Sequence, residues 1–553
     1  MNKKLILGII FGIIVVLLSI YTTFTGIKWG LPNEAHLYSF HPDEGINIGG
    51  AIRIFGGEKT PGFFNYSSLY FYIVAYVMTV ASTCGILNLG ETLTPENLAT
   101  IYMCGRVTSG ILTVLTALLI YLTGYRLSGV KGAFVGGILF AFTPLIVMHS
   151  KYIAVDCACG FFVALCIFIS TYINMEIPQS PLSRGATRKN QRFFPWGGLP
   201  LILSSVAAGL AMGCKYNGLI VFLVPLTLLI IALIEKKINL KNLIISVIIS
   251  GVITLVTFLI TTPGIFLETG KFLDNFFFEV NHVKNGLGDE FTDTGIGIFY
   301  NFTKNMFYGM GFLYSFLAII SLVFPFFTKN KYVKSISIFA LIYYVSISMG
   351  QVRFARYLIP VMPAFAVLVG YMCATFMNKK NIFLKIITVL VLIVALGKCA
   401  LVSHTINMAY TEVPTHINAL NFLDRDKKIG LPTTVWYYTP PFNRETSVMR
   451  EVRYKFTMEN EKYNIVCPRD DENEWNVDLI KQEKPEIVVI SSVEEYSKKR
   501  LHNPKYEEYM KYIDENYAEF GLIKSSCGYD PTNFPTDMTY LQPVYRIYAL
   551  RDK

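Results

Sequence analysis

Apolar runs of membrane-spanning length recur along most of this chain. LILGIIFGIIVVLLSIYTTFTGI (5–27) and FLKIITVLVLIVALGKCALV (383–402) contain no acidic residue. Roughly 20 apolar residues suffice to cross about 30 Å of hydrocarbon. Segments of this kind fall near 5–27, 69–87, 98–123, 132–149, 153–175, 199–214, 218–234, 243–266, 307–327, 333–350, 355–377 and 383–403. The start, MNKKLILGIIFG, has a signal-like charge pattern, but its apolar core is too long and no small-residue cleavage site follows. It is expected to stay as a first span. Beyond residue 403 the pattern turns polar. EIVVISS (486–492) predicts a buried strand and NPKYEEYMKYIDENYAEF (503–520) a helix. The expected architecture is an all-α polytopic membrane domain over 1–403 and an extracytoplasmic α/β domain over 404–553.

Charge placement refines the topology. The basic loops GYRLSGVK (124–131), RGATRKNQR (184–192), EKKINLKN (235–242), KNKYVK (329–334) and NKKNIFLK (378–385) should share the cytoplasmic side with MNKK. Alternation of sides allows this only if one segment between residues 28 and 123 fails to cross. The best candidate is LYFYIVAYVMTVASTCGIL (69–87), which is short and rich in Tyr, Ser and Thr. It is expected to lie in the outer leaflet, which leaves about eleven spans. The N-terminus is then inside and the tail outside, together with the loops holding Asp43, Asp156, Arg353 and Arg356. The net charge of +10 sits in short loops between spans, not on a basic face interleaved with aromatics, so a nucleic-acid partner is not expected. Most of the ten cysteines lie in apolar runs, where a thiol acts as a small hydrophobe. Cys467 and Cys527 stand in the polar tail, where an oxidising compartment would allow them to pair.

The chemistry-bearing candidates are few. HPDEGINIGGAIRIF (41–55) places Asp43 and Glu44 between a membrane exit and a Gly- and Ile-rich stretch suited to the interface. A carboxylate held there can serve as a general base; a solvated surface pair is the bland alternative. Asp156 begins the apolar run AVDCACGFFVALCIFIS, where it serves either a helix dipole or a site at the edge of the hydrocarbon. Lys215 in GLAMGCKYNGLIVF is either a snorkelling lysine or a point charge for an anionic head group. Arg353 and Arg356 in GQVRFARYLIPVMP lie on the side where basic residues are disfavoured, and Arg forks suit phosphate. His282 in EVNHVKNG is a lone histidine without an assigned role. There is no GxSxG, HExxH or GxxxxGK[ST] motif, so a nucleotide site is not supported.

Taken in order, HPDE (41–44), FFNYSSLYFYI (63–73), RVTSGILTVLTALLIYLTGYRLSG (106–129), GGILFAFTPLIVMHSKYIAVDCACGFF (136–162), KYNGL (215–219) and RYLIPVMPAF (356–365) resemble the C-type (GT-C) integral-membrane glycosyltransferases. The resemblance is to the protein O-mannosyltransferase branch that includes the lipid A aminoarabinose transferases, and it covers roughly residues 1–400. It implies transfer of a sugar from a polyprenyl-phosphate donor on the outer face, to a protein, glycolipid or polysaccharide hydroxyl. It implies Asp43 as base, Asp156 as a second acidic site residue, and interfacial helices between the first two spans. Relatives often carry a Pro-Pro pair, or Glu-Lys before Pro, in the aromatic run; here Asn65-Tyr66-Ser67-Ser68 stands there. The phosphate contact then falls to Lys59, Lys215 or Arg353 and Arg356, with Tyr66 and His282 as further candidate substrate contacts. Ala158 stands two residues after Asp156, where oligosaccharyltransferase cousins carry a DxE-like metal element. No obligatory cofactor or metal is expected, and a divalent cation stays open. A carrier or flippase for lipid-linked saccharides is the alternative from another class, and a non-catalytic membrane anchor a third.

Overall fold

The computed structural model describes residues 3–88, 94–174, 197–286, 288–443 and 462–551. The basic loop RGATRKNQR (184–192) and residues 89–93 lie outside the described residues. Helices α1 (Lys3–Phe24), α2 (Pro42–Phe55), α3 (Leu69–Thr83), α4 (Pro95–Ala141), α5 (Pro144–His149), α6 (Val155–Ser170) and α7 (Gly198–Cys214) form the first half of the membrane domain. Among the described residues, six helical stretches are long and apolar enough to cross a membrane: 4–24, 95–141, 216–234, 240–261, 355–377 and 382–409. Four shorter apolar helices, including α3, accompany them. This is a multi-pass membrane chain. The outward faces are apolar: Leu5, Ile9, Ile13 and Leu17 of α1 are exposed along one stripe, as lipid contact requires.

The loop expected at 124–131 is almost entirely helical. Only Gly129 leaves the helical region, with φ +73° and ψ −169°, and there the chain of α4 reverses. Glycine occupies that left-handed region without the Cβ penalty. The two arms then pack closely. A Cβ on Gly124 would meet Ala133 Cα at 2.8 Å, and the helix Met362–Met377 approaches the second arm as closely, since a Cβ on Gly370 would meet the Gly132 carbonyl at 2.3 Å. Small residues allow backbones this close, which is how helices associate without a hydrophobic drive in lipid.

The first arm of α4, Pro95 to Ser128, is roughly 51 Å long at 1.5 Å per residue. Helix α1 lies against its second half. The Tyr121 hydroxyl donates to the Gly8 carbonyl at 2.5 Å, and Phe24 packs against Gly110. Helix α3, only about 22 Å long, packs against the part beyond α1: the Tyr70 hydroxyl reaches the Gly105 carbonyl at 3.3 Å and Ser109 Oγ at 2.7 Å. The run expected as a loop over 267–306 contains a 17-residue helix, Thr269–Asn285.

The last long helix runs to Ala409, past the apolar run that ends near 403. After it comes a five-stranded mixed sheet in the order β2-β1-β3-β5-β4. The strands are β1 (Lys428–Gly430), β2 (Asn464–Val466), β3 (Ile487–Ser491), β4 (Tyr517–Ile523) and β5 (Tyr545–Leu550). The first three are parallel; β5 runs antiparallel to both β3 and β4. All five residues of β3 are buried, which is why it reads as a continuous apolar run. The helix expected over 503–520 ends at Asn516, and Tyr517 onward pairs with β5. Cys467 and Cys527 are both free thiols, against the pairing that an oxidising compartment would allow. Cys467 packs in the core beneath the sheet with Ile429 and Tyr463, whereas Cys527 packs against the core of the membrane domain and donates to the Thr405 carbonyl. The two thiols thus belong to separate hydrophobic clusters.

Candidate functional site

The HPDE stretch starts α2. His41 is the N-cap, its Nδ1 accepting the Asp43 amide at 3.3 Å, and Pro42 occupies the first turn, where a missing N–H costs nothing. Asp43 and Glu44 follow in that turn, favoured by the helix dipole. Successive helical side chains diverge by about 100°, and the two carboxylates have different fates. Glu44 is completely buried. It accepts from Arg106 Nε at 2.8 Å and Nη2 at 2.7 Å, and from the Ile153 amide at 3.1 Å. Arg106 Nη1 also donates to the Ile27 and Trp29 carbonyls at 2.8 and 2.6 Å. One turn on, Asn47 Nδ2 donates to the Ile153 carbonyl at 2.6 Å. This bidentate, fully hydrogen-bonded pair fixes α2 to α4 and to the turn before α6. Asp43 is left at the mouth, its side chain 24% exposed and 3.3 Å from Arg356 Nη2.

The stretch HSKYIAVD is buried throughout rather than forming a surface turn. Lys151 within it donates to the Thr22 and Val147 carbonyls at 2.5 and 2.7 Å, tying the end of α1 to α5. Asp156 enters the first turn of α6 with Oδ1 2.7 Å from Lys215 Nζ. Lys215 follows α7 in extended conformation and is only 7% exposed, so it does not snorkel to water. Its ammonium lies 4.2 Å from the Tyr357 ring centroid and 5.7 Å from that of Tyr66. The Tyr357 ring is also 5.9 Å from the Arg356 guanidinium, so one aromatic ring lies beside both cations. Burial pushes the Tyr66 hydroxyl well up, with the negative charge of Asp43 adding and the positive charge of Arg356 opposing.

Asp43, Asp156, Lys215, Arg356 and Tyr66 therefore gather around Tyr357. Glu44, Arg353, Lys59 and His282 do not. Arg353 is spent on the distant loop before Gly297, donating to Thr294 Oγ1 and the Gly295 carbonyl at 2.7 Å each. Lys59 is exposed, its carbonyl accepting from the Tyr72 hydroxyl. His282 stacks on Phe278 in the last turn of Thr269–Asn285.

Three residues of the site, His149, Tyr357 and Asp537, escape the sequence reading, as does Arg106, the buried partner of Glu44. Arg106 carried a signal, since a charge inside an apolar run needs a buried partner. Asp537 carried none. It comes from the C-terminal domain, is almost completely buried, and lies 3.8 Å from Arg356 Nη1 and 3.7 Å from His149 Nε2. Burial pushes its carboxyl up, opposed by the Arg356 charge and by three backbone amides, those of Arg356, Ala355 and Asp537 itself. Burial also holds the His41 imidazole well below its ordinary value; its ring stacks on Tyr152 at 4.1 Å. Among the described residues no group of three or more His, Cys, Asp or Glu side chains is arranged to hold a metal ion. Asp43 and Asp156 each face a cationic side chain instead.

Residues 65–273 match the family model of dolichyl-phosphate-mannose-protein mannosyltransferases. No curated protein matches the chain. The fold is similar to that of the oligosaccharyltransferase of Archaeoglobus fulgidus tethered to an acceptor peptide containing the NVT sequon, with 13% identity, a TM-score of 0.52 and coverage of 96% of this chain and 74% of that one. ArnT from Cupriavidus metallidurans, bound to undecaprenyl phosphate, is also similar: 13% identity, TM-score 0.49 and 97% coverage of both chains. The archaeal enzyme has also been crystallised with Zn and sulfate; that structure is 12% identical with a TM-score of 0.48, covering 94% of this chain and 72% of that one. The chain is a multi-pass membrane protein that shares its fold with the archaeal oligosaccharyltransferase and matches the mannosyltransferase family model over residues 65–273.

Proposed function

We propose that this chain transfers a sugar from a polyprenyl-phosphate carrier to an acceptor hydroxyl at the outer face of the membrane. The observation that carries the reading is the joined pair of carboxylate–cation contacts, Asp43–Arg356 and Asp156–Lys215, around Tyr357. In this reading the donor phosphate competes for Arg356 and Lys215, which releases Asp43 from its ion pair. Asp43 then takes the proton of the acceptor hydroxyl. The acceptor oxygen attacks the anomeric carbon, the bond from that carbon to the phosphate oxygen breaks, and its electron pair leaves on the phosphate. Fixed cations stabilise that developing charge. A single displacement inverts the anomeric centre.

The level of the site fits such a donor. It lies where α2 and the 149–156 turn meet, level with Ser109 and the end of α1, so a prenyl tail stays in lipid while its phosphate meets the cations. The same geometry supports α3 as a helix that does not cross, since it flanks the part of α4 beyond α1. It also supports an extracytoplasmic C-terminal domain, which covers the site. Mannose is the sugar that the family match favours, and protein, glycolipid and polysaccharide acceptors all suit a base acting on a hydroxyl. The test is turnover of a synthetic short-chain polyprenyl-phosphate sugar by the purified protein, with acceptors taken from the envelope glycans missing in a deletion strain. Asp43→Asn should lower turnover by about 10²–10⁴, the usual range for a general base, with the amount of folded protein unchanged. A wild-type protein that releases no polyprenyl phosphate with any such acceptor would sink the reading and favour a carrier.

A further inference from the structure

The side chain that organises the arginine of the site belongs to the other domain. Arg356 sits in the first turn of a 3-10 helix, Ala355–Val361, whose leading amides have no partner within the helix. Asp537 supplies it. One carboxylate oxygen accepts the Ala355 amide at 3.0 Å and the other the Arg356 amide at 2.8 Å. The second oxygen also faces the Arg356 guanidinium at 3.8 Å. Arg356 therefore lies between two carboxylates, Asp43 on one Nη and Asp537 on the other.

The segment bearing Asp537 is firmly docked. Met538 and Leu541 are fully buried in the same cluster as Tyr152 and Tyr410 of the membrane domain. Lys304 Nζ donates to the Asn533 carbonyl at 2.7 Å, and Phe534 packs on Tyr308. Without a second carboxylate, the guanidinium would have Asp43 as its single acidic neighbour and would close onto it. A base locked in a full ion pair accepts a proton poorly.

We propose that Asp537 is a positioning residue of the transfer site: it caps the turn that bears Arg356 and keeps the guanidinium from pairing fully with Asp43. The C-terminal domain is thereby part of the reaction centre and not an appendage. The kinetic consequence rests on the transfer reading; the effect on the turn does not.

The experiment is a double-mutant cycle on the full-length protein with Asp537→Asn and Arg356→Gln, read by turnover and donor KM, with amide exchange by mass spectrometry over 350–362. Asp537→Asn should lower kcat about tenfold or more, leave the donor KM within about threefold, and speed exchange at Ala355 and Arg356. In the Arg356→Gln background the same change should cost less than about twofold, because the group it acts through is gone. Asp537→Glu should restore part of kcat. Wild-type exchange and turnover in Asp537→Asn would overturn the proposal, as would full multiplicative loss in the double variant. If Asp537→Asn does not accumulate, the smaller Asp537→Ser and the conservative Asp537→Glu carry the comparison, and equal loss in both would also overturn it. A wild-type protein without transferase activity defeats the transfer reading alone, since exchange still decides whether Asp537 holds the turn.

Discussion

At the scale of single residues, neighbouring positions with the same chemistry do different work. Asp43 and Glu44 are adjacent, yet Glu44 is locked to Arg106 while Asp43 meets Arg356. Breaking a buried pair leaves an uncompensated charge and is costly. Loss of function in Glu44→Gln would thus come through the fold. The two arginines separate in the same way. Arg353 holds the loop around Thr294 and Gly295, whereas Arg356 faces the site. Arg356→Gln should weaken binding of a polyprenyl-phosphate-sugar analogue by about 1.5–3 kcal/mol, the range for a hydrogen bond to a charged group. Arg353→Gln should leave that affinity unchanged. Titration calorimetry on the two purified variants checks this, and the reverse ranking would place the phosphate beside Thr294.

At the scale of elements, local devices set the geometry on which the site depends. The His41-Pro42 cap starts α2 at a fixed residue, and Gly129 turns α4 back on itself. In the C-terminal domain, Glu494 completes a capping box at the start of the helix Ser492–Arg500. Its carboxyl accepts from Thr433 Oγ1 at 2.5 Å and from the Ser491 amide at 2.6 Å. Burial pushes it up to about 8. The folded state therefore holds this proton more tightly than the unfolded chain does. That stability is fully present below the ordinary glutamate range, near 4.3, and is lost as pH rises from there through about 8. Glu494→Gln keeps the shape and removes the ionisation. Thermal scans at about pH 5 and about pH 8.5 should show the wild type losing more melting temperature than the variant over that interval. Parallel curves for the two would show that Glu494 stays ionised in the fold.

At the scale of the whole molecule, the levels of the helices decide which face of the membrane the site occupies. Helix α1 pairs with the second half of the first arm of α4, and α3 with the part beyond it. Asn88, exposed after α3, should then lie on the same side as Asp43. A cysteine at Asn88, in a chain with Cys84→Ser, should react with an impermeant thiol reagent added outside intact cells. Protection there, with labelling of a cysteine at Glu34, would show that α3 crosses and would place Asn88 and Glu34 on opposite faces. The docking of the C-terminal domain belongs to this scale as well. Its sheet forms cores of its own, while its segment around Asp537 joins the core of the membrane domain.

The sequence by itself determined the membrane class, the change to a sheet-bearing domain after the last span, and the candidacy of Asp43, Asp156, Lys215 and Arg356. Each rests on local information: run length against bilayer thickness, loop charge, the continuous apolar run of β3, and charges standing at the edges of apolar runs. Only the tertiary structure decided which charge meets which. Whether Asp43 or Glu44 faces the site depends on the position of Arg106, and nothing in the HPDE stretch encodes that. The recruitment of Asp537 depends on a contact between segments almost 200 residues apart, Arg356 and the C-terminal turn. The separate clusters of Cys467 and Cys527 likewise follow from how the domain docks. Pairing of distant polar groups is set by burial, because a charge removed from water must find a partner. That partner is fixed by packing, and a pattern read along the chain does not contain it.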